Sequence, residues 1–140
     1  TVMRLIETQF SLYVGDCWEH LCRQYVSGNE IDGIIYNMAS RWWGKIFPND
    51  NKEGTMIELD IVAESFDKKH ILIGECKWTN GEDAQRLAHS LSEKAQSLPF
   101  VKREQQVHLV LFLKRTPEHP EAARYFLPEN IVSSHAFRRE

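Results

Sequence analysis

Three cysteines in 140 residues, with no C-x-x-C spacing among Cys17, Cys22 and Cys76, argue against both a disulfide framework and a cysteine-based zinc site. They are read as core residues. No apolar run reaches the length of a membrane span, and no charged-apolar-small signal segment is present, so a cytoplasmic protein with no membrane partner is expected. No Gly/Ser linker, repeat or low-complexity tract divides the chain, which predicts one domain over residues 1–140. Neither phosphate-loop pattern, G-x-x-x-x-G-K-[ST] or G-x-G-x-x-G, occurs, so this chain is not expected to bind ATP. The six histidines have no metal-binding spacing, and Ser65 and the Ser133-Ser134-His135 run lack a glycine-rich nucleophile elbow. An excess of basic residues is also missing: 17 Lys and Arg against 20 Asp and Glu give a net charge of −3. Binding of nucleic acid by bulk electrostatics has no support, and any such reading must rest on local features.

What is present is an ordinary globular composition, 42% hydrophobic and 26% charged, enough for one domain with a real core. Phe10, Val14, Trp18, Leu21, Cys22 and Tyr25 recur at three- and four-residue spacings and predict a helix from about Thr8 to Val26. Ser27-Gly28-Asn29 ends it, and Glu19 falls at the margin of its apolar stripe. The stretch "SGNEIDG" reads as a loop and "IIYNMASRWWGKI" as a strand in its second half, followed by the polar loop "PNDNKEG". Adjacent Trp42 and Trp43 point to opposite faces of that strand. Either could stack on a base, though core packing is the favoured reading for both. A helix over about residues 82–98, a doubly buried strand over 107–113, a short helix before Pro128 and a last short strand around Ile131 complete the chain. Strand, helix and strand imply a right-handed crossover and a three-layer α/β arrangement with a mixed sheet.

The centre of the sequence, "ELDIVAESFDKKHILIGECKW", places charges inside two apolar strands. Alternation puts Ile57, Leu59 and Ile61 on one face and Glu58, Asp60 and Val62 on the other. Leu72, Cys76 and Trp78 are likewise opposed to Glu75 and Lys77. A turn centred between Asp67 and Lys68 sets Asp60 opposite Glu75 and Glu58 opposite Lys77. Two carboxylates held together on half-buried strands repel unless a cation, a shared proton or a lysine compensates. Oxygen ligands from Asp60 and Glu75 suit Mg²⁺ or Mn²⁺, and Lys77 on the same face suits an attacking water and the growing negative charge of phosphodiester hydrolysis.

The run D60…E75-C76-K77 resembles the PD-(D/E)xK restriction-endonuclease-like superfamily. More narrowly, "CWEHL", "RWWG", "ELDIVAE" and "LIGECKW" resemble the nuclease-like domain at the C-terminus of archaeal-type AAA ATPases, over about Leu12 to Leu113. The resemblance implies a restriction-endonuclease-like fold, Asp60 and Glu75 as metal ligands, Lys77 as the catalytic lysine, and Glu19 as an auxiliary acid at the metal. It also implies DNA as the first expected substrate, RNA as the second, and an ATPase domain of the same chain as partner; a first residue that is Thr rather than Met agrees with a piece of a longer protein. Leu59 stands where the superfamily has proline, and Glu58 is an additional acid. The rival expectation is a non-catalytic nucleic-acid-binding or regulatory module of the same fold, in which Glu58 and Lys77 form a cross-strand ion pair and Asp60 faces solvent.

Overall fold

The structure, a computed structural model, describes residues 2–50, 52–81 and 83–137. The side chains of Ser133, Ser134 and His135 lie outside the described part. The chain opens with α1 (Val2–Val26), which begins earlier than its apolar spacing predicts. Trp18, Cys22 and Val26 are buried, but Phe10 and Tyr13 are exposed and Leu21 is at the margin, so the predicted stripe meets the core only along its second half. Gly28 takes the left-handed conformation, φ 69°, and the Asn29 amide donates to the Tyr25 carbonyl at 2.9 Å, closing the helix where the sequence indicates.

The stretch read as a loop contains a small hairpin, β1 (Glu30–Ile31) with β2 (Ile34–Ile35). Its turn, Asp32-Gly33, has positive φ at both residues, 52° and 84°, as an Asp-Gly hairpin turn requires. The main sheet follows from β3 (Ser40–Ile46), β4 (Thr55–Glu64), β5 (His70–Lys77), β6 (Gln106–Leu113) and β7 (Arg124–Phe126), in the order β3-β4-β5-β6-β7. β3, β4 and β5 pair antiparallel. β5, β6 and β7 pair parallel, with α2 (Ala84–Ala95) joining β5 to β6. The fold is three-layer α/β with a mixed sheet.

Two apolar cores sandwich that sheet. On one face Trp18, Cys22 and Val26 of α1 and Ile131 of the last helix, α3 (Pro128–Phe137), pack on Ile61, Leu72, Cys76 and Phe112. On the other, Ala84 and Leu91 of α2 pack on Leu59, Ile71, Ile73, Leu111 and Leu113. β6 contributes to both, as its nearly continuous apolar run predicts. Trp42 packs against Phe100, ring centres 5.2 Å apart, whereas Trp43 is exposed and corrects the expectation that both tryptophans are core. Cys22 and Cys76 are buried, but Cys17 is exposed, which corrects its reading as a core residue; all three are free thiols.

Before Pro128 the tail has a single 3₁₀ turn, Pro120–Ala122, where a short helix is expected, and then strand β7; the strand expected around Ile131 is instead helix α3. Proline fits the first helical position, where its missing N–H has no intrahelical acceptor to lose. The Asn130 side chain then reaches back to the Leu127 N–H at 2.8 Å, so the helix start is capped rather than a strand begun. No described helix is long and apolar enough to cross a membrane.

Candidate functional site

The β4–β5 hairpin has the register its sequence predicts. Ile61↔Gly74, Val62↔Ile73, Ala63↔Leu72 and Glu64↔Ile71 are partners, and the turn closes through a Ser65 N–H to His70 carbonyl bond of 2.9 Å. The ladder stops at Ile61↔Gly74. Just beyond it, Oδ2 of Asp60 accepts the Cys76 N–H at 2.9 Å, so a side chain takes a backbone donor of the neighbouring strand and Asp60 remains beside Glu75. Glu58 does not reach Lys77. It lies opposite Trp43 of β3 and pairs with Arg41, both side chains being exposed, which corrects the expected Glu58–Lys77 pairing.

A bulge explains the departure. Ser40 is opposite Val62 and Trp42 opposite Leu59, so Arg41 alone faces both Asp60 and Ile61. An extra residue in one strand breaks the alternation of side chains. Leu59 therefore packs beneath α2 and Ile61 beneath α1, although in an unbroken strand they would share a face. The Asp60 carbonyl takes its hydrogen bond from the Arg23 guanidinium of α1 at 3.1 Å. The same guanidinium lies 3.6 Å from Glu19, and α1 thereby holds Glu19 close to the bulge.

Electrostatics couples the three acids. Burial, followed by the charge of Asp60, pushes the Glu19 carboxyl above its ordinary pKa against the opposing pull of Arg23. Burial, again followed by Asp60, raises that of Glu75, with Glu19 adding to the effect. The charges that oppose the rise at Glu75 are those of Lys94 and Lys77, in that order. Lys77 Nζ is 3.8 Å from a Glu75 oxygen, with the Glu75 side chain 16% exposed and the Lys77 side chain 41%. The acids nevertheless stay separate: among the described residues no group of three or more His, Cys, Asp or Glu side chains is gathered closely enough to hold a metal ion.

Between β5 and α2 lies a cleft of about 300 Å³. Glu75 and Lys77 form one wall; Arg86, Ser90 and Lys94 of α2 line it from the other side, over Leu87 and Leu91. Sequence reasoning missed the α2 residues, yet their signal was present. Arg86, Ser90 and Lys94 recur every four residues on a helix whose apolar side includes Leu87 and Leu91, so they share one flank of it. At the same end of β5, Trp78 packs on Trp18, ring centres 5.1 Å apart, with the Lys114 ammonium 5.4 Å from its own ring centre. Trp78 is half-buried.

No curated protein matches the chain. A family model does match residues 1–94, the part that contains Glu19, Asp60, Glu75, Lys77, Arg86 and Lys94, and the chain therefore belongs to the DUF234 family, described as archaeal and bacterial proteins of unknown function.

Proposed function

We propose that this chain is a metal-dependent phosphodiesterase domain acting on nucleic acid, DNA first and RNA second. Asp60 and Glu75 would hold Mg²⁺ or Mn²⁺, Glu19 would approach the ion from α1, and Lys77 is the catalytic cation. One observation carries the reading: Arg23 of α1 ties Glu19 to the Asp60 backbone while the Asp60 carboxylate accepts the Cys76 N–H beside Glu75, so acids from three elements converge, and burial and Asp60 push two of them toward the neutral form. Folding does not favour such crowding by itself; a function that needs a cation there does. The resemblance of D60…E75-C76-K77 to the PD-(D/E)xK superfamily and its restriction-endonuclease-like fold supports the same reading. It also makes an ATPase domain of the same polypeptide the expected partner.

The donor chemistry fits the ion. Carboxylate oxygens suit a hard divalent cation, and Mg²⁺ needs only one or two of them beside water and substrate phosphate. The chemistry such an ion supplies is Lewis-acid polarisation of a phosphoryl oxygen and a lowered pKa of water. The chain's own groups do the rest. The Cys76 N–H fixes one oxygen of Asp60. Lys77, beside Glu75 and partly exposed, offers a positive charge to the anion that forms as a water oxygen adds to phosphorus. The attacking water gives up one proton to solvent, one P–O ester bond breaks, and the departing oxygen takes a proton from solvent in return.

A specific observation favours a second reading, a non-catalytic nucleic-acid-binding or regulatory module: the acids are not drawn into a three-donor cluster among the described residues. Plasmid nicking in Mn²⁺ decides between them. The phosphodiesterase should nick, lose activity in Asp60→Asn, and lose about 10²-fold in Lys77→Ala, the scale of removing one electrostatic stabiliser. A parent protein that neither nicks nor melts at a higher temperature in Mn²⁺ leaves the second reading standing.

A further inference from the structure

We propose that the cleft between β5 and α2 is a binding subsite for a backbone phosphate of a nucleic-acid strand, held by Arg86 and Lys94 and flanked by Lys77. The inference rests on the nucleic-acid reading above but not on catalysis. The cleft brings Lys77, Arg86 and Lys94 to one carboxylate, Glu75, a local excess of positive charge on a chain whose net charge is −3. Lys77 has Glu75 as an ion-pair partner; among the described residues neither Arg86 nor Lys94 forms an ion pair. Three cations that share the one carboxylate of Glu75, Lys94 acting on it as Lys77 does, leave positive charge over on a concave surface and suit a ligand that carries its own negative charge.

Size and spacing narrow the ligand. About 300 Å³ is at the small end of binding pockets and accommodates a phosphate with its sugar rather than a large organic molecule. One step of four residues along α2 advances about 6 Å, so Arg86, Ser90 and Lys94 form a short row of donors rather than a single-point anion trap. Arg86 can hold a phosphate through two parallel N–H bonds, Lys94 can add a point charge, and the Ser90 hydroxyl can donate between them. Glu75 and Lys77 line the same cleft as this row, so a strand lying along it passes beside them. None of these contacts reads a base, and binding through them is independent of sequence.

The test is fluorescence anisotropy of labelled single-stranded oligonucleotides in EDTA, titrated from 50 to 200 mM KCl, conditions that remove any cleavage. Arg86→Gln and Lys94→Gln should each weaken binding equally for unrelated sequences and lower the dependence of log affinity on log salt by about 0.7 per charge lost. Lys68→Gln, in the hairpin turn away from the cleft, should change neither, and circular dichroism melts show whether the variants are folded. Inorganic phosphate at millimolar concentration competing as well as an oligonucleotide of equal phosphate content would overturn the strand assignment. So would a parent protein that does not bind oligonucleotides, or α2 variants with unchanged affinity and salt slope. If the α2 variants behave as expected while the parent never nicks DNA, the subsite stands and the phosphodiesterase reading fails. If the parent nicks and the α2 variants bind normally, the reverse holds.

Discussion

Asp60 serves two neighbours with different atoms: its carboxylate accepts the Cys76 N–H, and its backbone carbonyl accepts Arg23. Replacement separates these roles. Asp60→Ala strands a partly buried donor and should cost about 1–3 kcal/mol in urea denaturation. Asp60→Asn keeps an oxygen acceptor while deleting the charge that Glu19 and Glu75 feel, so its stability should equal or exceed that of the parent. Glu75 makes a sharper pH prediction. Its carboxyl is raised, first by burial and then by Asp60, so the native state binds its proton more tightly than the unfolded chain. The resulting stabilisation is full below the unfolded value of about 4.3 and is lost as pH rises through the raised native value. Glu75→Gln should therefore melt above the parent at pH 7, with the advantage disappearing in acid below about pH 4. Melting curves that differ equally at both pH values would remove the ionisation account.

The β4–β5 hairpin was legible because its apolar alternation and its turn residues specify one register, and the ladder has that register. The bulge at Asp60–Ile61 was not, since a single unpaired residue changes which face a side chain takes without altering the sequence period. That is why Leu59, Ile61, Leu72 and Cys76 are buried and Ile57 is half-buried, yet the set is divided between two cores rather than gathered in one. Asp60, Glu75 and Lys77 were visible from spacing along a pair of strands. The four-residue spacing of Arg86 and Lys94 shows that they share a flank of α2, but that this flank faces Glu75 and Lys77 follows from the packing of α2 on the sheet, which no local pattern specifies. The segment around Ile131 is a helix rather than a strand because Pro128, which reads as a stop for the chain before it, also suits the first position of a helix. Gly74 shows how tightly the hairpin packs where its ladder ends. A Cβ there would sit 3.1 Å from both Ile61 Cβ and Phe112 Cε2. Gly74→Val should cost about 1–3 kcal/mol by overpacking, read as a lower urea midpoint with an unchanged m-value; a midpoint equal to the parent's would mean that the sheet gives way at no cost.

The molecule as a whole is a sheet covered on both faces, with β3 and β7 as the two strands paired on one side only. An uncovered row of backbone donors and acceptors invites another chain to add a strand. β7 is three residues long, too short to offer much of a template. β3 is longer, seven residues, and its defence is chemical: Arg41 and Lys45 are both exposed, placing charges beside the hydrophobic Trp43. Two such strands brought edge to edge in antiparallel register would set like charges near one another, at a cost that grows as salt is removed. Lys45→Val should leave the melting temperature nearly unchanged, within about 0.5 kcal/mol of stability, while lowering the protein concentration at which light scattering rises; unchanged scattering would assign the protection elsewhere. The exposed lysine of β3 thus acts on a property that a single folded copy does not display, the concentration at which many copies remain separate.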